Sequence, residues 1–307
     1  MIKTGITGLS QVKNKNFTTF LNKDKKISIT LYQDIHMFPN ADNLAERILL
    51  LFSDERGAYK RTYQKRFEDF DLSVINILKN LPTPQAFHDC GVSDGRTALD
   101  FFEKMVLVFP DIQYFASDYN PSVFVLEKGK LKVTLSHTGK ILEILFPPFV
   151  FNKIKQDSFR HYPLNHLILF FVEKFWVNSL MQKYKKGLIK AKELLLFSPK
   201  VLKKSQKDHR FRLGKHDLLH PFKERVDVVR AMNVLNPSYF SDVEFSQVIY
   251  NIYEGLNQNG LLITGSNQEA GTIVNGGIYQ KKEKGFKKIF NSGEGSPIEA
   301  PLLDFKF

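Results

Sequence analysis

The stretch Phe87-His88-Asp89-Cys90-Gly91-Val92-Ser93-Asp94-Gly95-Arg96-Thr97 has the residue types and spacing best suited to chemistry. An apolar strand here runs into closely spaced glycines at the start of a helix. Glycine permits the sharp turn and lets backbone approach a ligand, because it carries no Cβ. Gly91 and Gly95 therefore leave room for an adenosyl group, and the N–H groups opening the next helix can meet its polar atoms. Asp118 lies 23 positions beyond Gly95 (118 − 95), at the end of the next expected strand. That is close to the offset of about 20 at which a carboxylate accepts from both hydroxyls of a ribose. Without a ligand, the same residue is an exposed strand-end aspartate. The turn is not Gly-x-Gly-x-x-Gly, so it provides no obvious pyrophosphate cradle of the dinucleotide type.

These residues need a frame. The sequence predicts a strand at Phe87–Cys90, a helix over Thr97–Leu107 whose Leu99, Phe102, Val106 and Leu107 share one face, and a strand at Gln113–Ser117 ending at Asp118. A β-α-β unit of this kind favours a parallel sheet with a right-handed crossover. Further strands are expected at Val226–Ala231 and Gly260–Gly265, with a helix over Asp242–Leu256 between them. Glu193–Phe197 and Phe211–Gly214 also have strand character. The tail pieces Gly277–Lys281, Gly285–Asn291 and Ile298–Phe305 read as strands that end the sheet in an antiparallel manner. Before this frame come a strand at Lys26–Tyr32, a helix from Asn40 to Phe52 and an apolar-periodic stretch at Leu72–Leu78 that stops at Pro82-Thr83-Pro84. Within it, Lys130–Ser136 and Lys140–Phe146 alternate around Thr138-Gly139 as a β-hairpin. Leu164–Met181 reads as a buried or amphipathic helix, with Phe170, Phe171, Phe175 and Trp176 expected to pack rather than face water.

The whole pattern over Leu81–Phe307, with an insertion between Pro121 and Lys192, resembles the class I S-adenosylmethionine-dependent methyltransferases. In that family the first strand ends in an acidic residue before a Gly-x-Ser/Gly-x-Gly turn, and Asp89, Gly91, Ser93 and Gly95 occupy those places. Asp118 matches the family's ribose acid. His216-Asp217-Leu218-Leu219 is similar to the segment whose aspartate contacts adenine N6 and whose next backbone N–H contacts the ring, which implies these roles for Asp217 and Leu218. The strand from Val226 to Asn233, followed by Val234-Leu235 and Tyr239-Phe240, is similar to the fourth-strand region of chemotaxis receptor methyltransferases. The first helix opens Gly95-Arg96-Thr97-Ala98, not the Gly-Glu-Glu of that subgroup, so only fold and cofactor carry over. The resemblance implies an α/β fold with a Rossmann-like sheet, mostly parallel with antiparallel C-terminal strands, and an inserted hairpin and helix. It implies S-adenosylmethionine as cofactor and transfer of its methyl group to an acceptor, with a small molecule or protein favoured. Asn233, at the end of a central strand, is the candidate to orient that acceptor through its amide; as a turn or cap residue it has no such role.

Other features weigh less. His216 and His220 share a helical spacing, but Pro221 follows and no third metal ligand is apparent, so no metal is expected. Cys90, the only cysteine, excludes an intramolecular disulfide and a multi-cysteine zinc site; it reads as core, and a reducing cytoplasm fits it best. Arg56, Tyr59, Arg61 and Tyr63 are candidates to close over the cofactor or contact an anionic acceptor. The balance of 44 basic against 32 acidic residues, +12, attracts polyanions. A nucleic-acid-binding protein, or an RNA methyltransferase using the basic surface, is therefore the alternative function, although no stacking motif accompanies the charge. Peripheral membrane contact is a further, less favoured partner. The domain division expected is an N-terminal extension over 1–55 and a methyltransferase domain over 56–307 with its insertion at about 122–192.

Overall fold

A computed structural model describes residues 2–8, 26–37, 41–55, 62, 65–236, 239–267 and 273–305. Arg56, Tyr59, Arg61 and Tyr63 lie outside the described residues, as does most of the basic run Lys13–Lys26. The chain forms two compact units, one of residues 1–61 with 122–199 and the other of 62–121 with 200–307. The N-terminal extension and the insertion thus build one unit together. Elements are numbered along the chain.

In the unit of 62–121 and 200–307, seven strands lie in the order β10-β4-β3-β11-β12-β13-β14. They are β3 (Ala86–Cys90), β4 (Gln113–Asp118), β10 (Phe211–Lys215), β11 (Val226–Met232), β12 (Leu256–Asn267), β13 (Val274–Lys282) and β14 (Gly285–Ser292). The first five are parallel, and β13 and β14 add antiparallel. Taking β3 as the first strand of this sheet, the parallel part reads third, second, first, fourth, fifth. That is the order of a Rossmann-like, doubly wound sheet. The expected sheet, mostly parallel with antiparallel C-terminal strands, is what forms.

Both sheet faces are covered, which explains why β11 reads as a nearly continuous apolar run. On one face, Phe87 stacks on Tyr114 at 4.8 Å between ring centroids. Phe101 and Phe102 of α3 (Arg96–Val108) close over them at 5.5 Å from Phe87 and Tyr114 respectively. The other face presents Cys90, Val229, Ala231 and Leu262 to Val248, Ile249 and Ile252 of α7 (Asp242–Gly255). Helix α7 starts where it does because Ser241 and Glu244 form a reciprocal capping box. Helices α2 (Glu68–Leu78) and α6 (Pro199–Lys207) complete the unit, with α8 (Glu299–Leu303) after the sheet. The expected strand at Ile298–Phe305 is therefore a short helix, whose Leu302 and Ile298 are buried in the α7 core.

The other unit holds a five-stranded antiparallel sheet, β8-β7-β6-β5-β9, and a two-stranded parallel pair, β1 (Gly5–Ile6) with β2 (Lys26–Ile27). The expected hairpin is present as β6 (Leu131–Leu135) and β7 (Ile141–Phe146), extended by β5 (Ser122–Lys128), β8 (Phe149–Asn152) and β9 (Lys192–Leu195). Alternation along β5 sends Val123 and Val125 into a core with Ile29, Leu44 and Ile48, and Leu126 into another with Leu169, Val172 and Leu180. Leu44 and Ile48 belong to α1 (Ala41–Leu51). The expected strand at Lys26–Tyr32 ends after two residues and passes into a 3₁₀ segment, Ile29–Met37. Its amide at Ile29 and the Ser28 hydroxyl are taken up by a buried carboxyl, Glu143, at 3.2 and 2.6 Å. The expected helix over Leu164–Met181 is α4 (Pro163–Val172), a π-type turn (Glu173–Val177) and α5 (Asn178–Lys185). Contrary to the expected packing, Phe170, Phe171, Phe175 and Trp176 all face outward, because the helix buries only the stripe Asn165, Leu169, Val172, Val177 and Leu180.

Candidate functional site

In parallel α/β sheets, ligands bind outside the carboxyl ends of the strands, where the strand order reverses. Here that switch point lies between β3 and β11. The register pairs Arg230 with Asp89, Cys90 with Ser117 and Lys215 with Asp118. The segments leaving β3, β4, β10 and β11 at this edge begin at Gly91, Tyr119, His216 and Asn233. The sequence-predicted residues Gly91, Ser93, Gly95, Asp118, Asp217, Leu218 and Asn233 therefore all fall at one edge of one sheet.

The turn after β3 has positive φ at alternate positions, Gly91 (+70°), Ser93 (+60°) and Gly95 (+82°), and Gly95 caps α3. Alternation of this kind turns backbone N–H groups to one side, as in anion-binding nests. The Ser93 amide donates to Asp118 Oδ2 at 2.7 Å, and the Asn120 amide donates to Oδ1 of the same carboxylate at 3.0 Å. Asp118 is thus held in a fixed orientation by the turn and by its own strand end. Under the turn, Asp94 is fully buried and accepts from the Arg96 amide at 3.1 Å and Nε at 2.7 Å, while Arg96 Nη2 reaches the Thr62 carbonyl at 3.3 Å. This buried pair fixes the first turn of α3.

The space above Gly91 belongs to Val234: a Cβ at Gly91 would collide with the Val234 side chain. The glycine is needed at this point because φ is positive and because the chain leaving β11 passes close over it. The expected reason, room for a ligand at that Cβ, is replaced by room for Val234.

Asp89, also expected among the cofactor-binding residues, occupies a different environment from its neighbours, turned into the core and not toward the strand-end edge. Its carboxylate is fully buried and accepts from Tyr114 Oη at 2.6 Å and Arg230 Nη1 at 2.8 Å. Arg230 Nη2 donates in turn to Asp71 of α2 at 2.9 Å, and the guanidinium lies over the Phe101 and Phe67 rings at 4.8 and 5.3 Å. Burial pushes the Asp71 carboxyl up to about 6 against the opposing pull of Arg230, and raises Asp89 as well. Burial also drives the Tyr114 phenol well above its ordinary value, with the charge of Asp89 adding to it. Sequence reading missed this network, although a signal was present. An arginine inside the apolar run Val226–Met232 has to meet buried counter-charge, since an unpaired charge there is prohibitively costly.

Asp217 shapes the turn after β10, accepting from the Leu219 amide at 3.0 Å through Oδ1, with His220 Nδ1 3.4 Å from Oδ2. Leu218 is buried, and its carbonyl accepts from the side-chain Nδ2 of Asn251 on α7 at 2.9 Å. Asn233 has φ +59° and exchanges hydrogen bonds with Asn267, its Nδ2 donating to Asn267 Oδ1 and its Oδ1 accepting from the Asn267 amide, both at 3.1 Å. Tyr239 is exposed and Phe240 packs on the α7 core. Behind the edge, His88 is buried with Nε2 2.8 Å from Ser117 Oγ, its ring 5.0 Å from those of His216 and Phe222. Burial, then the neighbouring His216, lowers His88 to about 3, so it is a neutral packing residue. Cys90 lies in the α7 core, and burial followed by the Asp89 charge pushes its thiol well up, the reverse of a nucleophile. Among the described residues, no group of three or more His, Cys, Asp or Glu is arranged to hold a metal ion.

What fold and site define by themselves is a Rossmann-like α/β protein with an acid and a nest-like turn tied together at the switch point. No family model and no curated protein matches the chain. Among solved structures, it is similar to an S-adenosylmethionine-dependent methyltransferase from Clostridium acetobutylicum, with 11% identity over 73% of this chain and 60% of that one, TM-score 0.31. It is also similar to the N-methyltransferase NodS from Bradyrhizobium japonicum in complex with S-adenosyl-L-homocysteine, with 12% identity, 75% of each chain and TM-score 0.33. A third is the mitomycin 7-O-methyltransferase MmcR, with 11% identity, 78% of this chain, 43% of that one and TM-score 0.32. The chain spans less than two thirds of the length of the first and third of these. The fold class rests on this chain's own strand order and register.

Proposed function

We propose that the chain is an S-adenosylmethionine-dependent methyltransferase whose cofactor lies across the carboxyl edge of β3, β4 and β10. The observation that carries this reading is the bond from the Ser93 amide to Asp118. It joins the left-handed turn and the acid of the next strand into one rigid constellation at the switch point. The two amides orient the carboxylate at the strand edge. The residues fit a nucleoside: Asp118 receives the ribose hydroxyls, and Asp217 with the Leu218 N–H meets the adenine. Asp89, turned into the Arg230 network, supports the end of β3 from beneath.

S-adenosylmethionine, when bound, supplies an electrophilic methyl group on a sulfonium. The protein's contribution to such a transfer is alignment of the acceptor lone pair and exclusion of water, so no covalent enzyme intermediate is required. Asn233, at the end of β11, is the residue assigned to hold the acceptor, and its pairing with Asn267 fixes the direction of the amide. A small molecule or a protein side chain is the favoured acceptor class.

Calorimetric titration of the folded chain with S-adenosylmethionine tests the reading directly. Saturable one-to-one binding is expected, with competition by S-adenosylhomocysteine. No heat and no competition from a folded sample would overturn it. Gly91→Val is not a suitable probe of cofactor contact, because its collision with Val234 disturbs the fold itself.

A further inference from the structure

The residues 153–192 hold nine Lys or Arg and two acids, a balance of +7 within forty residues. Both acids are already answered: Glu173 by Lys153 at 2.7 Å, and Asp157 by Lys26 at 2.8 Å and Lys3 at 3.4 Å. Helix α4, the π-type turn and α5 cross the middle of this segment, and no helix among the described residues is long and apolar enough to span a membrane.

The helix has two apolar faces, and among the described residues only one has a partner. Leu169, Val172, Val177 and Leu180 are buried on the sheet core. The π-type turn inserts extra arc between Val172 and Val177, which brings α5 back onto the same buried face as α4. The opposite face carries Leu164, Leu167, Phe170, Phe171, Phe175 and Trp176, each between 41% and 57% exposed. Its rings form one continuous surface: Phe170 to Phe171 at 5.5 Å, Phe171 to Phe175 at 6.1 Å, Phe175 to Trp176 at 6.1 Å and Trp176 to Phe146 at 5.6 Å. Exposure of so many large apolar groups together marks an interaction site, since isolated ones are ordinary.

We propose that this face docks on an anionic lipid bilayer, with the α4–α5 helix lying in the plane of the interface. The charge distribution decides between occupants. Lys174 sits among the rings, its ammonium 5.8 Å from the centroids of both Phe170 and Phe175. In a dry protein interface that charge would be stranded, whereas at a bilayer it extends to the headgroups while the rings enter the acyl boundary. Lys183, Lys185, Lys186 and Lys190 follow, all exposed, and supply the attraction to anionic headgroups that a single apolar face lacks. Aromatic residues on one side and lysines around them are what an interfacial helix requires.

Trp176 is the only tryptophan in the chain, so its fluorescence reports on this face alone. The full chain is mixed with vesicles of phosphatidylcholine containing 30% phosphatidylserine (about one lipid in three, enough for a strong negative surface potential), and with vesicles of phosphatidylcholine alone. Co-flotation with the anionic vesicles and a blue shift of Trp176 emission are expected, both weakened by salt and by omission of phosphatidylserine. Phe170→Ser with Phe175→Ser is expected to reduce partitioning by at least about tenfold per ring. Lys183→Glu with Lys186→Glu is expected to reduce it by about fivefold per lysine on anionic vesicles. Circular dichroism shows whether each variant is folded, and the lysine pair, which is exposed, keeps the test sound if the ring variant is not. Absence of co-flotation with an unchanged Trp176 spectrum overturns the proposal. So does a blue shift that follows protein concentration without lipid, which would assign the face to a second copy of the chain.

Discussion

The two sheets of this protein differ in where they leave their polar chain ends, and in how they treat a buried acid. Five parallel strands bring four strand-leaving segments to one edge, so Gly91, Asp118, Asp217 and Asn233, up to 142 positions apart (233 − 91), meet there without any local signal linking them. The antiparallel sheet β8-β7-β6-β5-β9 distributes its turns over both edges and gathers no comparable set. The acids follow the same division. Asp71 and Asp89 are bonded to a full guanidinium, Arg230, whereas Glu143 is bonded to the Ser28 hydroxyl and the Ile29 amide, with the Lys26 charge a weaker influence. The guanidinium holds Asp71 at about 6 against its burial, whereas Glu143, bound only to neutral groups, rises to about 7.

The sharpest way to break that contrast is Arg230→Met. The change leaves two carboxylates buried without their cation, and a loss of about 3–5 kcal/mol is expected for the seven-stranded unit. Urea unfolding followed by circular dichroism measures it. If Arg230→Met lies within about 1 kcal/mol of wild type, the network does not hold the strand ends in place.

The next effect belongs to Glu143, whose pKa burial raises to about 7 from an ordinary 4.5. The folded state therefore holds a proton that the unfolded chain has given up between those values. Its stability contribution is greatest below about 4.5 and is lost as the pH rises through about 7. The span is about 2.5 units (7 − 4.5), or about 3 kcal/mol at most. Hydrogen exchange of the β6 and β7 amides, corrected for intrinsic rates, is expected to show protection falling from pH 5 to pH 8 in wild type. In Glu143→Gln that slope is expected to shrink to the part that Asp71 contributes. Asp71, raised to about 6, contributes a slope of the same sign that ends sooner, so the difference between the two proteins isolates Glu143. A slope in Glu143→Gln as steep as in wild type would show that the proton sits elsewhere.

Much of the seven-stranded unit is legible in the sequence because its signals are local. The β3-turn-α3-β4 stretch carries strand alternation, glycines and helical periodicity in direct succession, and β11 is a mainly apolar run broken by Asp227 and Arg230. What was not legible depends on contacts far apart in sequence. Nothing local says that Ile29 and Ile48 share a core with Val123 and Leu196, so extension and insertion read as separate appendages. Helix α6, Pro-Lys-Val-Leu-Lys-Lys-Ser-Gln-Lys, buries only Val201 and offers too narrow an apolar stripe to detect. The 3₁₀ segment at Ile29 reads as a strand because its β-branched residues favour one, and the buried Glu143 that captures its first amide is more than a hundred residues away.

Asp118→Ala probes the edge of the parallel sheet with a smaller expected effect. Loss of hydrogen bonds to a charged group weakens S-adenosylmethionine binding by about 1.5–3 kcal/mol. Ribose contacts are made equally in ground and transition states, so the saturated single-turnover rate is expected to change far less than the affinity. The Ser93 and Asn120 amides also lose their acceptor, and the variant's thermal midpoint shows how much of the effect is structural. Unchanged affinity in a folded Asp118→Ala protein would remove Asp118 from the ribose role.

Asn233→Gly is the mildest substitution and separates turn geometry from chemistry at the end of β11. Asn233 adopts a left-handed φ of +59°, which glycine accepts without the Cβ penalty. Glycine removes the amide pair with Asn267, and these opposing terms leave an expected stability change within about 1 kcal/mol. Cofactor affinity is expected to stay the same, because the residue is assigned to the acceptor and not to the nucleoside. Only the rate of methyl transfer at saturating cofactor should fall. Asn267→Ala is the control: it removes the Oδ1 that accepts from Asn233 Nδ2 and Arg66 Nε, but leaves the Asn233 amide and its bond from the Asn267 backbone N–H in place. If Asn233 serves only as a turn residue, neither variant loses rate. A rate loss confined to Asn233→Gly places the acceptor at this amide, on the same edge as the cofactor turn. A rate loss shared by both variants would instead assign the effect to the pair as a fixed strut between β11 and β12.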